Sequence, residues 1–159
     1  MSIEKVRNYL SAYGLGGRVR EFGVSSATVE LAAAALGCPP CRIAKTLAFD
    51  CAGETVLIVA AGDVRVDNAK YKARFGMKAK MLPADETERR VGHSVGGVCP
   101  FAVNSGVRVL LDTSLRRFDT VFPACGSSNS AVELTIPELE RCSGCAGWVD
   151  VCRSREPAQ

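Results

Sequence analysis

The sequence predicts an α+β domain built on a mixed, strongly curved β-sheet or partial barrel with helices packed around it. Three observations lead there. Short β-type runs and helical segments interleave irregularly along the chain. One run, Glu54 to Ala61, is apolar on both faces and reads as a central strand covered on both sides. No internal repeat and no linker divides the 159 residues, a length that suits one domain with a real core.

The elements follow in order. Ile3, Val6, Leu10 and Tyr13 stand at helical spacing, and Gly14, Gly16 and Gly17 end that helix. Arg18 to Phe22 is a short strand. Ser25 and Ser26 open an alanine-rich helix from about Thr28 to Leu36, closed by Gly37. Ile43 to Phe49 is a strand bounded by Pro39-Pro40 and Ala52-Gly53, and Glu54 to Ala61 follows it. Asp67 to Phe75 is a polar helix, with Arg65, Lys70, Lys72, Arg74, Lys78 and Lys80 crowded in and around it. Such a cluster is either a solvated helix face or a surface for phosphates. Pro83 starts a short acidic helix ending near Arg90. After a glycine-rich segment, Gly92 to Pro100, come strands at Val107 to Leu111, Asp119 to Pro123 and Ala131 to Leu134. Ile136-Pro137 introduces the last helix, to about Cys142. The domain spans 1–152, and 153–159 is a polar C-terminal tail.

Composition narrows the class. An apolar fraction of 47% with 23% charged residues belongs to an ordinary globular protein, and no stretch approaches the roughly 20 apolar residues of a membrane span. The net charge of +3 permits nucleic acid without announcing it. The polar N-terminus lacks an apolar signal core, so a cytoplasmic protein with reduced thiols is expected. Two C-x-x-C pairs, Cys38/Cys41 and Cys142/Cys145, could supply four zinc ligands. Their long separation, and the lack of a knuckle glycine in the first pair, argue instead for free cysteines with no metal and no cofactor.

Two stretches carry chemistry. In the strand, Ile43, Lys45, Leu47 and Phe49 share one face, while Ala44, Thr46 and Ala48 share the other. Lys45 thus falls among bulky apolar side chains, where an ammonium must snorkel to water or meet an anionic or carbonyl-bearing ligand. The second stretch is Gly92-His93-Ser94-Val95-Gly96-Gly97-Val98-Cys99-Pro100-Phe101. It has neither the spacing of a dinucleotide fingerprint nor the ending of a phosphate loop. Its glycines allow close backbone approach to a ligand, or simply a tight turn.

The series Ile43-Ala44-Lys45-Thr46-Leu47, Ala60-Ala61-Gly62-Asp63 and Gly96-Gly97-Val98-Cys99-Pro100-Phe101 resembles the YbaK/ProX family. These are free-standing relatives of the editing domain of bacterial prolyl-tRNA synthetases. The match runs in the family's order from about residue 20 to residue 140. The resemblance implies a curved mixed sheet and hydrolysis of amino acids wrongly attached to tRNA. The expected substrate is tRNA for proline carrying cysteine, alanine or serine, held by its acceptor end. Prolyl-tRNA synthetase is an expected partner, and no membrane is involved. The family's catalytic lysine matches Lys45, and Thr46 beside it counts among the substrate-binding positions. The loop that orients the terminal adenosine and aminoacyl group matches Gly96, Gly97 and Pro100, and a late turn lining the pocket falls at Gly126, Ser127 and Ser128.

The chain departs from the family in two places. It lacks the histidine that some members carry in the late turn, and its one histidine, His93, precedes the glycine loop. His93 joins the substrate-binding set, as a general base or as a structural residue. Cys99 stands where the family often has serine, with no base paired to it by any motif. The alternative reading is a non-catalytic module of the same fold that grips tRNA or a synthetase.

Overall fold

The computed structural model describes residues 2–155, with the side chain of Ser2 excepted. Its strands are β1 (Arg20–Glu21), β2 (Ile43–Cys51), β3 (Glu54–Ala61), β4 (Val64–Val66), β5 (Arg108–Asp112), β6 (Thr120–Pro123), β7 (Ser130–Ala131), β8 (Leu134–Thr135), β9 (Gly147–Val149) and β10 (Cys152–Ser154). Its α-helices are α1 (Ser2–Ser11), α2 (Val29–Leu36), α3 (Asn68–Phe75), α4 (Ala84–Val91) and α5 (Ile136–Cys142). Six strands form one mixed sheet in the order β8-β6-β2-β3-β5-β9, and two short ribbons, β1-β7 and β4-β10, flank it. The fold is α+β with a curled sheet and five helices, as the sequence predicts.

The β2–β3 hairpin is the frame. The chain turns tightly through Ala52 and Gly53, and eight residue pairs run from Ala44↔Ala61 to Cys51↔Glu54. β3 is the central strand: Val56 to Ala61 are completely buried, which explains why its sequence does not alternate. Gly62 ends it at a crowded point, because a Cβ there would stand 2.1 Å from the Pro40 carbonyl oxygen. Asp63 then pairs with Arg117 through two hydrogen bonds of 2.5 and 3.0 Å.

The outer edge of β2 is covered in two pieces. β6 pairs with Ile43 and Ala44, while further along Met81 bridges Phe49 and the neighbouring amides exchange bonds with Ala48 and Asp50. Residues 45–47 have no strand partner on that edge among the described residues. The gap falls at Lys45.

Several sequence expectations shift. α2 is capped by Thr28, whose hydroxyl accepts from the Leu31 amide, so Ser25 and Ser26 lie ahead of the helix rather than opening it. The strand expected at Ala131 to Leu134 is broken into β7 and β8, which pair with different partners. The supposed tail enters the fold. β10 pairs antiparallel with β4, setting Arg153 opposite Arg65, and the Arg155 amide donates to Asp63 O at 2.9 Å. Asp112, almost fully buried, fixes the approach to this ribbon by accepting from the Val151 and Ser114 amides. Residues 156–159 of the expected tail lie outside the described residues. No helix among the described residues is long and apolar enough to cross a membrane.

Candidate functional site

Two cavities adjoin along β2 and share Lys45 and Met81 in their walls. The first, of about 290 Å³, is walled by Ala44, Thr46 and Ala48 of the strand, facing Ala27 and Ala32, Val95, Gly96 and Val98 of the glycine loop, and Ala124 and Ala131. The second, of about 430 Å³, is walled by Leu47 and Phe49 of the opposite face together with Arg65, Val66, Asn68, Ala79 and Arg155. The alternation read from the sequence thus places Ala44, Thr46 and Ala48 on one side and Leu47 and Phe49 on the other, while Ile43, expected with the bulky face, joins the first wall. Lys45 reaches both cavities, and its Nζ donates to the Val64 carbonyl. Burial, with Arg155 adding like charge, pushes the Lys45 ammonium below its ordinary value. It is the one titratable side chain among the residues walling the first cavity.

Polar groups in that first wall lack partners. Thr46 Oγ1 and Ser26 Oγ are buried without a hydrogen bond. An unpaired buried hydroxyl costs about 1–3 kcal/mol, so both are available to a ligand by a change of rotamer. Thr46 was singled out from the sequence. Ser26 is an addition from the structure: Thr28, itself a favoured N-cap residue, caps α2 and leaves Ser26 ahead of the helix.

The glycine loop, the late turn and the segment before α2 are stitched together. Ser26 N donates to Ser128 O at 2.6 Å, and Asn129 Nδ2 to Phe22 O at 3.0 Å. A Cβ on Gly96 would stand 3.5 Å from Ala27 Cβ and 3.6 Å from Ser128 Cβ. Gly97 sits tighter still, with a Cβ position 2.6 Å from the Gly126 and Ser127 backbone. The glycine at 97 is therefore required by loop-to-loop contact.

These contacts place several of the expected residues away from the cavity walls. Of the loop positions expected at the substrate, Gly96 lines the first cavity, while Gly97 and Pro100 are buried outside both walls. The Gly97 amide donates to Ser94 O, so it is not presented to a ligand. Gly126, Ser127 and Ser128 also line neither cavity. Ser127 Oγ sits 2.9 Å from Asn129 Oδ1 and 2.7 Å from Ser130 Oγ, which shapes the turn; Ala124, Ser130 and Ala131 supply the wall instead.

His93 stands apart from both cavities. Its ring is fully buried, lines neither cavity, and donates from Nε2 to Phe101 O at 2.7 Å. That bond fixes the Nε2–H tautomer and leaves Nδ1 without a partner. Burial pushes the imidazole below its ordinary value. Cys99 packs 3.5 Å from the same ring, and burial pushes its thiol up to about 12, so the thiol stays protonated beside a neutral imidazole, and both lie outside the cavity walls. Among the described residues no three His, Cys, Asp or Glu side chains gather as a metal site.

A curled mixed sheet thus carries a small, largely alanine-lined cavity with a lysine at its boundary. Residues 24–142 match the family model described as the aminoacyl-tRNA editing domain, and the chain belongs to that family. It is 50% identical over 157 residues to YwhH of Bacillus subtilis (strain 168), covering 98% of this chain and all of that protein. A weaker similarity, 29% over 90 residues, links 56% of the chain to 16% of the proline–tRNA ligase of Lysinibacillus sphaericus (strain C3-41). The crystal structure of a proposed trans-editing enzyme for prolyl-tRNA synthetase superposes with a TM-score of 0.86 at 27% identity, covering 96% of this chain and 98% of the other.

Proposed function

We propose that the chain is an aminoacyl-tRNA deacylase that removes small non-cognate amino acids, with tRNA for proline as its carrier. The observation that carries this reading is the first cavity: alanine-walled, with two unpartnered hydroxyls and Lys45 at its boundary. The membership in the editing family and the similarity to a proline–tRNA ligase support the choice of carrier.

The chemistry asks little of the protein. Water attacks the ester carbonyl carbon, the bond to the ribose oxygen breaks, and the amino acid and the ribose hydroxyl leave separately. The Lys45 ammonium stabilises the oxyanion that forms at the carbonyl oxygen, at a place where partial burial strengthens the interaction. Among the described residues no cavity-lining side chain is a His, Cys, Asp or Glu, so solvent or the substrate's own groups take the proton from the attacking water and return one to the departing ribose oxygen. Small walls admit alanine, serine or cysteine; each extra methylene is worth only about 1–3 kcal/mol of discrimination.

The test is deacylation of tRNA for proline carrying alanine, cysteine, serine or proline, with Lys45→Ala as control. Lysine-dependent hydrolysis of a mischarged species is the expected result. Binding without hydrolysis across the panel overturns the enzyme reading in favour of a binding module.

A further inference from the structure

Among the described residues, the second cavity holds three cations and no acid in its walls. Lys45, Arg65 and Arg155 line it together, over an apolar floor of Leu47, Phe49, Val66, Ala79 and Met81. Neighbouring carboxylates are engaged elsewhere: Asp63 by Arg117, Asp150 by Lys70, and Asp67 by the Lys70 amide at the start of α3. No ion pair to Lys45, Arg65 or Arg155 is found among the described residues.

The ribbon itself adds to the charge. Arg153 and Arg65 are direct cross-strand partners, an arrangement that opposes pairing when both carry the same sign. Of the other cations crowded near α3, Lys70 pairs with Asp150, Lys80 with Asp50, and Arg74 lies over the Phe75 ring. Arg65 is the member of that cluster that turns to the cavity, and Arg155 joins it from the far end of the chain through the β4–β10 pairing.

We infer that this cleft is a phosphate site for the single-stranded 3′ end of RNA, with Arg65 and Arg155 holding backbone phosphates while the terminal acyl group enters the neighbouring cavity. Charge on the rim with apolar surface on the floor is the combination that tracks a single strand, since bases and riboses cover the floor as the phosphates meet the cations. The shared wall at Lys45 and Met81 makes one path of the two cavities. The choice of RNA as the anion rests on the deacylase reading; the convergence of cations does not.

The experiment measures binding of a short, uncharged, fluorescently labelled RNA ending in CCA, by anisotropy across a salt series. Each phosphate contact contributes about 0.7 to the slope of log affinity against log salt for a single strand. R65A/R155A is expected to lower that slope by roughly 1.4 and to weaken binding at least roughly tenfold at low salt. R65K/R155K keeps most of the slope, which separates lost charge from lost fold. Wild-type slope and affinity in R65A/R155A overturn the inference, even if deacylation proceeds. Arginine-dependent binding by a protein that hydrolyses none of the charged tRNAs upholds it and removes the deacylase reading.

Discussion

The two faces of β2 make opposite kinds of cavity from one strand. On one side Ala44, Thr46 and Ala48 leave a small space with hydroxyls and no net charge beyond Lys45; on the other, Leu47 and Phe49 floor a wider space rimmed by arginine. A two-residue alternation therefore sets a small-walled cavity and an arginine-rimmed one on either side of a single strand. Lys45 belongs to both because the edge of β2 is unpaired at residues 45–47.

The sharpest break in this comparison is Lys45→Ala, which removes the one charged group common to both cavities. Deacylation should fall by at least about 10²-fold, the scale of one lost electrostatic stabiliser, with an unchanged circular dichroism spectrum. Acting as a cation, Lys45 loses its effect as pH rises through its pKa, which burial and Arg155 hold below 10.5. In R155A that alkaline limb should move upward, measured as enzyme-dependent rate above the spontaneous hydrolysis. A limb that stays in place means Arg155 does not act on Lys45.

Ala27→Phe tests the neutral cavity alone. Ala27 is exposed at its rim beside Gly96, so the ring can obstruct entry without disturbing the core. We expect kcat/KM to drop about 10–100-fold, with RNA binding at the cationic cleft retained. A parallel loss of RNA binding would erase the division between the faces.

His93 lies outside both cavities, so its substitution should separate stability from activity. His93→Ala should cost about 2–4 kcal/mol in chemical unfolding while leaving kcat of the folded protein within about twofold. Its lowered pKa also predicts an acid effect. The unfolded chain takes up the proton near 6.5 and the folded one only at lower pH. Stability is thus full above about 6.5 and declines as pH falls from there toward the folded value. His93→Gln should flatten that decline, measured by unfolding midpoints across the range.

The smallest effect concerns the turn after β3. Arg117 beside Asp63 holds its carboxyl below the usual carboxylate range. The pair is partly solvated, so Asp63→Asn should cost only about 0.5–1 kcal/mol. The difference should be present above the ordinary carboxylate pKa and vanish as pH falls through the lowered one.

Where the sequence reading held and where it failed follows from the range of the forces involved. Period-two alternation and the runs between glycine and proline placed β2, β3, α3 and α5 to within a few residues, because side-chain direction along a strand or helix is a local property of the backbone. The same alternation set Leu47 and Phe49 apart from Ala44, Thr46 and Ala48, while Lys45 reaches the cavities on both sides. Three short strands, β4, β9 and β10, were not foreseen, since a segment of three residues carries too little periodicity to read and is stabilised by a partner distant in sequence.

What the sequence by itself determined is the frame: one α+β domain, a buried central strand, and a lysine placed on a bulky apolar face beside a strand face of small residues. Only the tertiary structure decided which residues meet at that frame. It buried His93 against Phe101, spent Gly97 on the contact with Gly126, and brought Arg155 from the expected tail to Arg65. Burial and long-range strand pairing depend on what packs opposite a residue, and no local pattern records that.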